Sequence, residues 1–206
     1  MEQSAEITTK DLRPMMKALL AVALTAVWLI TPVHAAEIGD DGLHKEPWFR
    51  ITFKDMTEDL EAAQAEDKRL MLIFEQRGCI YCRKMHEEVF SDPKIKALIE
   101  DKFFVVQMNL FGDEEVTDFD GTALSEKKMA GRWGVVFTPT IMFMPDAVPD
   151  SGSAAQAAVS IMPGAFGKGT TLDMLTWVLT KGYEGDEHFQ KYHAREIERR
   201  AAEASE

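Results

Sequence analysis

Arg69-Leu70-Met71-Leu72-Ile73-Phe74-Glu75-Gln76-Arg77-Gly78-Cys79-Ile80-Tyr81-Cys82 contains the only two cysteines of the 206-residue chain. Its first half, Arg69 to Glu75, is a short apolar run suited to a buried strand, although periodicity alone does not separate it from a helix. Its second half ends in two thiols with a two-residue spacer, and Arg83 to Phe90 behind them reads as helical. A thiol pair at a strand-to-helix junction is the working unit of dithiol/disulfide chemistry. Residues i and i+3 share a helix face, so both sulfurs can close a bond within one turn. Cys79 falls at or just before the helix start, where unpaired N–H groups and the helix dipole favour an anion and lower the thiol pKa. Cys82, one turn further in, is expected to be the more buried, resolving thiol.

Other uses of two cysteines stay open on these residues. A static disulfide with this spacing closes a very small loop and adds little stability. A structural zinc site wants four ligands. His86 lies four residues after Cys82, which leaves a Cys79/Cys82/His86 copper or zinc site as an alternative.

Working outward, Thr57 is placed to cap a helix over Glu58 to Glu66. Asp92-Pro93 breaks the cysteine helix and restarts another over Lys94 to Asp101, with Asp92 as cap and proline in the first turn. Phe103 to Met108 is aromatic and β-branched, a strong strand signal. Leu110 to Gly121 reads as an acidic insert with two glycines, and Leu124 to Trp133 as a helix. Thr140 to Met144 and Ala158 to Met162 read as strands joined by the turn-rich Pro145 to Ser153, hence antiparallel neighbours. Leu172 to Lys181 is an amphipathic helix. The tail from Asp186 reads as a solvated charged helix. The order β-α-β-α-β-β-α around the cysteines is an α/β arrangement with one mixed sheet. His44, His188 and His193 are expected on the surface.

The N-terminus reads as an export signal. Lys17 precedes the apolar core Ala18 to Ile30, and Val33-His34-Ala35 offers small residues for cleavage after Ala35. That core is shorter than a membrane span. The tandem Met15-Met16 marks an alternative start of translation. The domain plan is a signal peptide over 1–35, a lead-in over 36–54, the main domain over 55–183 and the charged tail over 184–206. The formal charge is −12, which argues against nucleic acid and anionic membrane surfaces as partners. Export with one paired motif, rather than a framework of four or six cysteines, points to redox work.

A strand, Cys79-Ile80-Tyr81-Cys82, a Pro-kinked helix and Thr138-Pro139-Thr140 opening a late strand together resemble the thioredoxin superfamily, over roughly Asp55 to Gly182. The resemblance implies a thioredoxin-like fold, a central mixed β-sheet flanked by helices. It implies that Pro139 is cis and packs beside the active-site disulfide, and that Thr138, with the spacer Ile80-Tyr81, contacts substrate. Gly42 to Phe49, Phe74 to Gly78 and Phe137 to Thr140 are more closely similar to SoxW-type periplasmic thioredoxins, which are associated with sulfur oxidation. Read locally, Pro139 is an ordinary strand-entry proline. One departure matters. Thioredoxin proper carries a buried Asp on the strand before the motif, and Ile73 stands there in this chain. Glu75, expected to be a surface carboxylate, is the nearest candidate for proton transfer.

The resulting expectation is an exported thiol–disulfide oxidoreductase that reduces disulfides of other exported proteins. Cys79 attacks and Cys82 resolves. The chain has no nicotinamide or flavin motif, so no cofactor is expected. The SoxW resemblance implies a membrane thiol transporter as electron donor and sulfur-oxidation proteins as clients. The rival expectations are a disulfide oxidase or isomerase, and a copper chaperone using Cys79, Cys82 and His86.

Overall fold

A computed structural model describes residues 37–205. The expected export signal and its cleavage after Ala35 lie outside the described residues. Among the described residues no helix is long and apolar enough to cross a membrane.

Glu37–Ile38 (β1) pairs antiparallel with His44–Lys45 (β2), and Phe49–Arg50 (β3) follows. Met56–Ala65 forms α1. Its cap is Asp55 and not Thr57: the Asp55 carboxylate accepts from the backbone N–H groups of Thr57 and Glu58 at 3.0 and 3.1 Å. Both residues are good caps by chemistry, and the one with extended backbone takes the role. Arg69–Glu75 (β4) is a strand along its whole expected length, with every residue buried. The cysteine helix starts as α2, Ile80–Lys84, and widens into a π-helical turn over Met85–Phe90. Pro93–Lys102 (α3) begins at its Asp92 cap and runs into Phe103–Asn109 (β5).

The acidic insert is not a plain loop. Glu115–Thr117 (β6) and Ala123–Ser125 (β7) form a short antiparallel ribbon, so the next helix, Glu126–Arg132 (α4), starts later than Leu124. Thr140–Phe143 (β8), Ala154–Ala157 (α5), Ser160–Pro163 (β9), Lys168–Leu179 (α6) and Phe189–Glu203 (α7) complete the chain.

The central sheet has the order β3-β5-β4-β8-β9. β3, β5 and β4 are parallel, whereas β8 and β9 join antiparallel. The edge strand β3 falls in the segment expected to be a lead-in, so that segment contributes to the sheet. Alternation along β4 divides the core. Leu70, Leu72 and Phe74 meet α1 and α4 on one face. Met71 and Ile73 meet the π-helical turn, α3 and α6 on the other. Glu75 shares the second face, which aims its carboxyl group at the turn that follows the cysteines.

Candidate active site

Gly78 turns the chain from β4 towards α2 with φ +72°, a conformation that suits glycine. Cys79 then caps α2 with extended backbone, and the Cys82 N–H donates to its sulfur at 3.0 Å. The two cysteines are joined in a disulfide with their Cα atoms 5.2 Å apart. Cys82 is wholly buried, and Cys79 retains 7% of its surface. The spacing therefore gives the asymmetry expected of it: one sulfur at the mouth and one behind it.

Across the sulfurs lies the entry to β8. The Thr138–Pro139 bond is cis. The Thr138 hydroxyl donates to Cys79 Sγ at 3.4 Å, and its carbonyl oxygen lies 3.6 Å from the same sulfur. Ile80, Tyr81, Val136 and Phe137 are all more than half exposed. The first two come from the spacer and the others directly precede Thr138, so an apolar rim flanks Cys79 on two sides. A cleft of about 500 Å³ opens beside Cys79, lined among others by Ile38, Gly42, His44, Arg77 and Arg83. Its N-terminal wall is tied down where Arg77 donates to the carbonyls of Asp40 and Asp41 at 3.2 and 3.3 Å. Gly42 suits that wall because its φ is +77°, and a Cβ would lie 2.6 Å from the Arg77 side chain.

Behind the cysteines, Glu75 is fully buried rather than on the surface. One carboxylate oxygen is 2.7 Å from His86 Nε2, and the other accepts from Gln107 Nε2 at 2.6 Å. His86 Nδ1 is 2.9 Å from a Glu46 carboxylate oxygen. Both His86 nitrogens thus face carboxylates and not the sulfurs, which removes the third ligand from the copper alternative. Burial works against charge on His86, but the hydrogen bonds it donates to Glu46 and Glu75 outweigh it and raise its pKa to about 9.

His44 is also buried, contrary to its expected surface position. Its ring stacks on His86 with centroids 4.6 Å apart, and its Nδ1, 3.8 Å from Glu75, has no hydrogen-bond partner. Burial first, and then the positive His86, lower the His44 pKa below the ordinary imidazole value. Of the other two histidines expected on the surface, His188 is exposed, while His193 is half-buried against Asp173.

The sequence signal for this cluster was partial. Glu75 follows Met71 and Ile73 at the strand period, and His86 follows Cys82 by one helical turn, so a meeting of the two was readable. Nothing local marks Glu46 and His44, which arrive through the packing of β2 over the cysteine turn.

Residues 56–149 match the family model of a thioredoxin-like domain. Among solved structures, a thioredoxin-fold protein from Helicobacter pylori aligns at 17% identity with a TM-score of 0.52, over 64% of this chain and 86% of that one. A thioredoxin from Thermus thermophilus aligns at 28% identity and TM-score 0.48, over 62% and 86%. The C-terminal domain of DsbD from Neisseria meningitidis, in its oxidised form, aligns at 15% and 0.38, over 60% and 89%. No curated protein matches the chain. The match over residues 56–149 and the likeness to the Helicobacter pylori protein show that this chain has a thioredoxin-like fold.

Proposed function

We propose that the chain is an exported thiol–disulfide oxidoreductase of the SoxW type, and that it works as a reductant of disulfides in other exported proteins. The observation that carries the reading is the unequal cysteine pair: Cys79 at the apolar mouth beside Thr138, Cys82 sealed behind it. In the dithiol form the Cys79 sulfur lies where the Cys82 N–H and the Thr138 hydroxyl can both donate to it, which favours a thiolate. That thiolate attacks a client disulfide. A Cys79–client bond forms, and the first client sulfur leaves with the electron pair of the broken bond. Cys82 then loses its proton and attacks Cys79, so the second client sulfur departs and the internal disulfide closes. The client gains two electrons and the dithiol loses two.

Ile80, Tyr81, Val136 and Phe137 supply apolar area for a client segment, and Thr138 with Pro139 supplies an edge along which an extended chain can lie. The return of electrons is assigned to a membrane thiol transporter, with sulfur-oxidation proteins among the clients. The test is Cys82→Ser. With the resolving step removed, this variant is expected to accumulate client proteins in mixed disulfides through Cys79, and wild-type dithiol to reduce insulin. Failure of the variant to form any dithiothreitol-cleavable adduct through Cys79, or no insulin reduction by the wild type, would remove the reading.

A further inference from the structure

We propose that the segment over residues 51–54 is a second docking surface for the protein clients of Cys79, and that it selects clients whose apolar surface carries lysine or arginine. This deepens the reading above and rests on it. Ile51 is fully exposed and Phe53 retains 92% of its surface, more than any other large apolar side chain among the described residues. They flank Thr52, whose hydroxyl turns inward and donates to buried Asp59 at 3.0 Å. The Lys54 N–H donates to the Thr52 hydroxyl oxygen at 3.0 Å, and the Lys54 carbonyl accepts from the Thr117 N–H at 3.0 Å. Lys54 itself has φ +57°. A positive φ on a residue other than glycine is costly and persists only where the surroundings hold it. The segment is therefore fixed in the conformation that keeps both apolar side chains out in solvent.

The segment stands between two clefts. Phe53 lines one of about 590 Å³ with Asp55, Glu58, Glu114 and Glu115. Ile51 lines another of about 500 Å³, with Phe49, Asp113 and Glu126 among its walls. The cations here are already matched: Lys54 pairs with Glu114 and Glu126, Lys45 with Asp41, and Arg50 with Glu66. Among the described residues Asp113 and Glu115 have no cationic partner, and neither have Asp55 and Glu58 at the start of α1. Apolar side chains rimmed by unmatched carboxylates complement an apolar surface that carries cations. A second copy of this chain would bring the same acids to the contact, and an anionic membrane would repel them.

The position of the segment ties it to Cys79. β3, β5 and β4 are parallel neighbours, so residues 51–54, which follow β3, and the cysteine turn, which follows β4, leave the same end of the sheet. Two strand spacings, about 10 Å, separate the exits. The N-terminal hairpin lies across that interval. Asp40, Gly42 and His44 line the cleft at Cys79, whereas Asp41, Leu43 and Lys45 line the cleft at Ile51. The two clefts thus share one wall. A client attacked at Cys79 reaches Ile51 by crossing that wall, and a hold there raises the local concentration of its disulfide without entering the chemistry.

The test uses peptides whose one cysteine is carried as a mixed disulfide with thionitrobenzoate, so that attack by Cys79 releases a coloured thiolate. On each side of that cysteine about six residues, roughly 20 Å of extended chain, lead to Leu-Lys-Leu-Lys, to Leu-Glu-Leu-Glu or to Ser-Lys-Ser-Lys. In stopped-flow experiments at low salt and subsaturating peptide, the dithiol protein is expected to react with the first about tenfold faster than with the other two. Ile51→Ser/Phe53→Ser, at two exposed positions, is expected to lose that advantage while reacting unchanged with 5,5′-dithiobis(2-nitrobenzoate). Asp113→Asn/Glu115→Gln is expected to lose part of it. Equal rates for the three peptides would overturn the inference. So would an advantage that survives Ile51→Ser/Phe53→Ser, which would assign the preference to net charge alone. A dimer in sedimentation, or binding to phosphatidylcholine vesicles, either one lost in that variant, would give the face to a second copy or to a membrane and overturn it too. No release from any peptide or from 5,5′-dithiobis(2-nitrobenzoate) would instead remove Cys79 as the attacking thiol, and with it the reading on which this one rests.

Discussion

Glu75 and His86 show what a single buried residue can demand of its neighbours. A carboxyl group without exposed surface needs donors, and here one of them is an imidazole that is itself wholly buried between two carboxylates. Replacing Glu75 with Ala leaves that imidazole with one acceptor, an expected loss of about 3 kcal/mol in urea unfolding. The pH dependence follows from the same contacts. His86 has a folded pKa of about 9, above its unfolded value of 6.5. Its contribution is fully present below pH 6.5 and is lost as the pH rises through 9. His44, with a lowered pKa, acts in the opposite sense and costs stability as the pH falls below 6.5. Urea midpoints are therefore expected to be highest near neutrality and to fall between about pH 7 and 9.5. His86→Gln is expected to flatten the alkaline limb, and an unchanged limb would contradict the assignment of the charge.

At the scale of elements, the last helix is held in an unusual way. α7 has no buried residue, yet it is anchored on α6 through Asp173. That carboxylate accepts from both Arg200 terminal nitrogens at 2.6 and 2.8 Å, and His193 Nδ1 lies 2.6 Å away. Asp173→Ala is expected to speed amide exchange over residues 189–203 by about tenfold or more. Reduction of insulin is expected to be unaffected, since α7 lines no part of the cysteine cleft. Equal exchange in variant and wild type would show that Phe189 and Tyr192, packed against the core, suffice.

The elements also show how far the sequence could be read. β4 was legible to the residue, because an uninterrupted apolar run between polar flanks fits a strand buried on both faces. α3 was legible because Asp92 and Pro93 fix its first turn. The β6–β7 ribbon was not, since three-residue strands carry too little alternation to stand out from an acidic loop. The π-helical turn after Lys84 has no propensity signature, and the docking of α7 depends on one buried Asp in another helix. Cys79, Cys82 and Thr138, singled out from spacing and resemblance, meet in the structure, and Pro139 follows Thr138 through a cis bond. Glu46 and His44 were missed because their place is set by tertiary packing.

At the scale of the whole molecule, the dithiol pair sits in a strongly acidic chain, net −12. The cleft beside Cys79 nevertheless carries Arg77 and Arg83. The central claim is the direction of electron flow: one unequal pair, fed from the membrane and reducing exported clients. Its most direct test is the reduction potential of the Cys79–Cys82 couple, measured by equilibrating the protein with glutathione at known ratios and quenching with an alkylating agent. The expected value lies nearer the roughly −270 mV of a thioredoxin than the roughly −120 mV of a dedicated oxidant. A value at the oxidant end, with Cys82→Ser trapping proteins that normally gain disulfides, would contradict the claim.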